Sequence, residues 1–154
     1  MEMNDNRNEL VSTLNDLVKI NQDRIEGYRK AQDQAKENPE LQALFAQKAQ
    51  QSEGFSNDLK SSISNLGGEF ATESTAPGKI FRAWMDVKNT FNPSDKHSIL
   101  DSCEFGEDAA LKAYKSSLES DAEIPSEIRQ VIASQQADIQ ASHDTIKQYR
   151  DATA

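Results

Sequence analysis

Apolar residues recur at spacings of three and four along four long stretches of the chain. Between Asn6 and Ala35, Leu10, Leu14, Leu17, Tyr28 and Ala35 return to one face, the mark of an amphipathic helix. Asn38-Pro39 interrupts this pattern, and Pro39 suits a first helical position because its missing N–H would have no partner there. A second helix is predicted from Pro39 to Leu66, with Leu41, Leu44, Phe45, Phe55, Leu59, Ile63 and Leu66 as its stripe. Gly67 follows, the residue type that ends helices by taking positive φ without strain. A third helix is expected over about 94–120, with Leu100, Cys103, Ala110, Leu111, Tyr114 and Leu118 inward. A fourth, opened by Pro125, runs to about residue 150 on Ile128, Ile132, Ile139, Ile146 and Tyr149. Valine and isoleucine never alternate with polar residues over a strand length, so no strand competes.

Residues 67–93 differ in character. Gly68 to Gly78 reads as a loop of small and polar residues. Residues 79–91 read as a short amphipathic helix with Ile80, Phe81, Trp84, Val87 and Phe91 on one face. The loops between helices one and two and between helices three and four are short, so each pair is an antiparallel hairpin. A helix of this length covers roughly 40 Å at about 1.5 Å per residue. The middle segment is long enough to return along it. Two antiparallel hairpins joined by one lengthwise crossover make a ferritin-like four-helix bundle, expected here as a single all-α domain over 1–154.

Composition narrows the function classes. With 17 Lys+Arg against 26 Asp+Glu, the 154-residue chain carries a net charge of -9, which argues against nucleic acid as a partner. No apolar run reaches the length of a transmembrane helix, and the polar start shows no secretory signal. One cysteine, Cys103, excludes an intrachain disulfide, so a reducing cytoplasm is the expected compartment. Against this acidic background, Lys79, Arg82 and Lys88 face only Asp86 within 79–91. That segment is expected to cover the bundle wall, with Trp84 buried. A protein partner or an anionic membrane surface is the alternative, and a homo-oligomer remains open.

Several strings are distinctive: Asn15-Asp16-Leu17, Asp23-Arg24-Ile25-Glu26-Gly27-Tyr28, Leu66-Gly67-Gly68-Glu69, Arg82-Ala83-Trp84-Met85-Asp86, Cys103-Glu104-Phe105-Gly106-Glu107-Asp108-Ala109-Ala110 and Ala141-Ser142-His143-Asp144. With them the chain resembles a bacterial ferritin-like four-helix-bundle family whose members carry a domain of unknown function. The resemblance implies the bundle fold and brings no activity.

Ferritin-like enzymes hold two metal ions between a Glu from each of two helices and Glu-x-x-His from each of the other two. Helical facing places Asn21 and Arg24 inward on helix one, while Glu26 points roughly 140° away. Helix two offers Lys48, Gln51 and Ser52 at the matching turn, with no Glu-x-x-His. Glu107 faces inward on helix three, flanked by Glu104. On helix four Gln135 faces in, and Gln140-x-x-His143 has the spacing with glutamine in place of the carboxylate. The expected interior is therefore a polar layer of Asn21, Arg24, Lys48, Ser52, Glu107 and Gln135. Arg24 and Glu107 pair within it, and no cofactor is expected. The alternative is a single iron or manganese ion at Glu104, Glu107 and His143.

Other signals are weaker. Gly27, Gly54 and Gly106 lie inside helices, where each costs about 1 kcal/mol relative to Ala, so a neighbouring side chain or the crossover helix is expected to pack close at each, with a ligand groove as the alternative. His97 is expected near solvent, and Cys103 as a buried, inert thiol. A non-catalytic binding or assembly module is the expected function. An altered ferritin-like metal protein, handling iron or acting as an oxidase, is the alternative.

Overall fold

The computed structural model describes residues 2–70, 96–119 and 123–153, with side chains from residue 6 onward. Among these residues the chain is all-α, with four helices: α1 Glu2–Gln34, α2 Pro39–Asn65, α3 Lys96–Leu118 and α4 Ser126–Ala152. The first begins a turn earlier than its apolar stripe predicts, because polar residues at a helix end still close backbone hydrogen bonds. Pro125 caps α4 rather than opening it. The expected helix at 79–91, and Trp84 with it, lies outside the described residues.

The predicted punctuation has a physical basis in the backbone. Asn38 caps α2, its side-chain oxygen accepting from the Leu41 N–H at 3.0 Å, and Pro39 follows at the first helical position. At the other end Gly67 adopts φ +78°. The Gly68 N–H bonds to Ile63 O at 3.0 Å and the Gly67 N–H to Ser64 O at 2.9 Å, the paired bonds of a Schellman stop.

In cross-section α1 packs against α2 and α3, and α4 packs against α3 and, more loosely, α2. Cross-links give the directions. Asn6 on α1 meets Glu123 just past α3, whereas Arg24 meets Glu107, so α1 and α3 are antiparallel. Tyr149 donates to Glu40 while Gln135 reaches the Phe55 carbonyl, so α2 and α4 are antiparallel too. The end of α2 lies beside the first part of α1, where Asn15 donates to Glu69 O at 2.8 Å. The start of α3 lies at the opposite end of the bundle, where His97 reaches the Arg150 carbonyl.

The core follows the predicted stripes. Leu10, Leu14, Leu17, Tyr28, Phe45, Leu59, Ile63, Leu100, Tyr114, Ile132, Ile139 and Ile146 are buried in one cluster. Leu44, Leu66, Leu111, Leu118, Ile128 and Tyr149 pack only partly against it. Among the described residues, a Cβ built on Gly54 would meet nothing within 4 Å, and the crossover expected near the helical glycines lies outside them. One expectation fails. His97 is part-buried rather than near solvent, its Nδ1 within 3.2 Å of Arg150 O and 3.1 Å of Thr153 Oγ1. Cys103 is fully buried, as its apolar face dictates.

Candidate functional site

Halfway along the bundle, apolar packing gives way to a guanidinium. Arg24 and Glu107 both have 0% side-chain exposure. Arg24 Nε donates to Glu107 Oε1 at 2.5 Å and Nη2 to Oε2 at 2.9 Å, a bidentate fork. Nη1 donates to Ser52 Oγ at 2.7 Å, and Nη2 also reaches Gln51 Oε1 at 2.9 Å and Ser142 Oγ at 3.1 Å. The partners come from α2, α3 and α4, so one side chain of α1 bonds to each of the other three described helices. The guanidinium also lies against the rings of Tyr28 and Phe55, at 5.3 and 6.0 Å from their centroids.

Burial by itself would lower the guanidinium's pKa, but the charge and hydrogen bonds of Glu107 outweigh it, and the net shift is upward. The cation is fixed. Tyr28 is pushed well up, first by burial and then by the Glu107 charge. Lys48 is half-buried beside this pair, and burial followed by repulsion from Arg24 lowers its pKa.

Asn21 and Gln135, expected on this pair, belong to a second chain of bonds. Asn21 Nδ2 donates to Tyr114 Oη at 2.7 Å, Tyr114 donates to Gln135 Oε1 at 2.7 Å, and Gln135 Nε2 donates to Phe55 O at 3.2 Å. Tyr114 sits two turns from Glu107 on α3, so the expected single layer is two. The partner from α4 at the level of Arg24 is Ser142, not Gln135. Sequence reasoning missed it because a serine on a helical stripe reads as a small core residue. It also missed Asp23, a fully buried carboxylate beside Arg24. Burial near this turn extends round α1 to Asp23, Ile25 and Gly27, beyond the face that the stripe marks. Glu26 is half-buried there and accepts from Gln22 at 3.3 Å.

The alternative metal trio does not assemble as expected. Both oxygens of Glu107 face Arg24, away from His143. Its place is taken by Asp108, whose Oδ1 lies 2.9 Å from His143 Nε2, with Glu104 Oε1 at 3.5 Å. The reason is helical geometry: residues 104 and 108 share a face, and 107 is turned into the bundle. On the other ring nitrogen, His143 Nδ1 lies 3.1 Å from Asp144 Oδ1. Arg150 pairs with Glu104 from the far side. Hydrogen bonds from His143 and Gln140 lower the pKa of Asp144.

Among the described residues, no helix is long and apolar enough to cross a membrane. No curated protein matches the chain. A family model, described as a domain of unknown function, matches residues 9–120. The match takes in Arg24, Ser52, Glu104, Glu107 and Asp108, while Gln135, Ser142 and His143 on α4 lie beyond it. The chain belongs to this family, the domain of unknown function DUF2383.

Proposed function

We propose that this is a non-catalytic, cytoplasmic bundle of ferritin-like topology, a binding or assembly module whose interior is held by ions of its own side chains. The observation that carries this reading is Arg24, a fully buried cation bonded to α2, α3 and α4 at the level where ferritin-like enzymes hold metal. A fixed guanidinium there repels a metal cation and occupies both oxygens of Glu107, the carboxylate best placed to ligate one. The opposite ends at which α2 stops and α3 starts support the lengthwise crossover. Metal analysis of protein purified without added chelator, on the wild type, Glu107→Gln and Arg24→Met/Glu107→Leu, tests it. Bound metal is expected to be the same in all three. Iron or manganese that disappears with Glu107 would overturn the reading.

A second reading, a ferritin-like metal protein with an altered carboxylate and histidine site, draws support from one observation. Glu104 and His143 do lie together, on the outer side of the α3–α4 pair.

A further inference from the structure

Three side chains on the outer face of the α3–α4 pair converge without taking part in the interior network. Glu104 and Asp108 are four residues apart on α3, so both project on one side of the helix. His143 projects from α4 between them. One ligand atom from each of the three lies within 4.8 Å of the others.

The two separations from His143 bracket the edge of a coordination tetrahedron. A tetrahedral ion with bonds of about 2.1 Å holds its ligand atoms about 3.4 Å apart. His143 Nε2 stands 2.9 Å from Asp108 Oδ1 and 3.5 Å from Glu104 Oε1. The rest of the histidine is arranged for ligation. Its Nδ1 faces Asp144 Oδ1 at 3.1 Å, and that carboxylate is itself held by Gln140 Nε2 at 3.1 Å. A carboxylate on the remote ring nitrogen can take the ring proton as a hydrogen bond and so orient Nε2 for a metal. Glu104 has a similar division of labour. Arg150 engages Oε2, which leaves Oε1 turned toward His143.

We propose that Glu104, Asp108 and His143 bind one divalent first-row transition ion. One imidazole and two carboxylates form a mixed nitrogen–oxygen set. Such a set suits zinc(II), iron(II), cobalt(II) or manganese(II) better than magnesium or calcium, which take oxygen alone. Water or an external ligand fills the remaining positions. The site is separate from Arg24 and Glu107, so it stands or falls independently of the interior reading.

The test is titration of the full chain, stripped with chelator and dialysed, with Co2+ followed by visible absorption and Zn2+ followed by calorimetry. One ion per chain is expected, with tenfold excess Mg2+ failing to displace it. His143→Ala and Asp108→Asn should each weaken binding by about tenfold or more, and Asp144→Asn by about 10- to 100-fold through the ring it orients. Asp58→Asn, a surface carboxylate on α2, should leave affinity unchanged. His143→Gln and far-UV circular dichroism guard against a variant that fails to fold, and Asp108 is exposed enough to be replaced safely. Absence of saturable Co2+ absorption overturns the proposal, because the three side chains would then only be hydrogen-bonded to one another. So does binding that survives in both Asp108→Asn and the folded His143 variant.

Discussion

Glu107 and Asp108 are neighbours on α3, yet one is fully buried against Arg24 while the other, 52% exposed, sits 2.9 Å from His143. A helix turns about 100° per residue, so a single step in sequence carries a carboxylate from the interior to the outer face. Ser142 and His143 make the same step on α4. Two such pairs thus place a buried ion pair and a histidine–carboxylate cluster back to back.

The buried pair sets the first prediction. Glu107→Ala leaves Arg24 charged and without its anion, because a guanidinium cannot shed its proton. A loss of about 3–5 kcal/mol in urea denaturation is expected. Arg24→Met/Glu107→Leu should lose much less, since the desolvation of both charges is removed together. Glu26→Ala, which removes a half-buried carboxylate bonded to Gln22, should cost about 0.5–1.5 kcal/mol. Equal losses in the single and double variants would show that the ion pair is not the source.

The second chain of bonds makes a separate forecast. Tyr114→Phe removes the hydroxyl that accepts from Asn21 and donates to Gln135. Two buried amides then lose a partner, at a cost of about 1–3 kcal/mol by the same melts. Tyr114 is two turns from Glu107, so its effect should be close to additive with Glu107→Ala.

Alkaline titration should report both layers. Burial pushes Tyr114 and Tyr28 above the usual tyrosine range, the latter further raised by the Glu107 charge. A group raised in the folded state contributes stability that is fully present below its unfolded pKa. It is lost as pH rises through the folded one. Stability should therefore fall above about pH 10, where tyrosines of the unfolded chain ionise first. Absorbance near 295 nm should show Tyr28 and Tyr114 ionising together with the loss of helix. Smooth ionisation of all three tyrosines in a folded chain would contradict this.

Two glycines should respond in opposite directions to alanine. Gly54 is exposed in the interior of α2, and none of the described residues lies within 4 Å of where a Cβ would go. Gly54→Ala should stabilise by about 1 kcal/mol. At Gly68 a Cβ would lie 2.8 Å from Val11 Cγ2 and 3.2 Å from Ile63 Cγ2. Valine is stiff about χ1 and cannot swing aside, so Gly68→Ala should cost about 1–3 kcal/mol. Thermal melts of the two variants give the signs.

The helices were legible because a period near 3.6 leaves its mark wherever one face is buried. Leu10, Leu14 and Leu17, or Ile132, Ile139 and Ile146, show it plainly. Arg24 and Glu107 were legible for the same reason, as charges falling on an apolar face. Where burial exceeds one face, periodicity carries no signal, and Asp23 was missed on that account. Partnership was harder than facing. Nothing in spacing distinguishes an amide that bonds Arg24 from one that bonds a tyrosine two turns away, so Asn21 and Gln135 were grouped with the wrong centre. Glu107 was grouped with His143 by proximity in height, and only the rotation of α3 separates it from Asp108.

Arg24 lies in the hairpin of α1 and α2, and Glu107 in the hairpin of α3 and α4. The Arg24–Glu107 pair is thus divided between the bundle's halves, its cation in one and its anion in the other. Two copies of the first hairpin set face to face would oppose two guanidiniums, and two copies of the second would oppose two carboxylates. Like charges brought together out of water disfavour each of these pairings. Apolar stripes alone would let either hairpin associate with itself. The split pair makes each half complementary to the other, so that the first hairpin closes on the second rather than on its own kind.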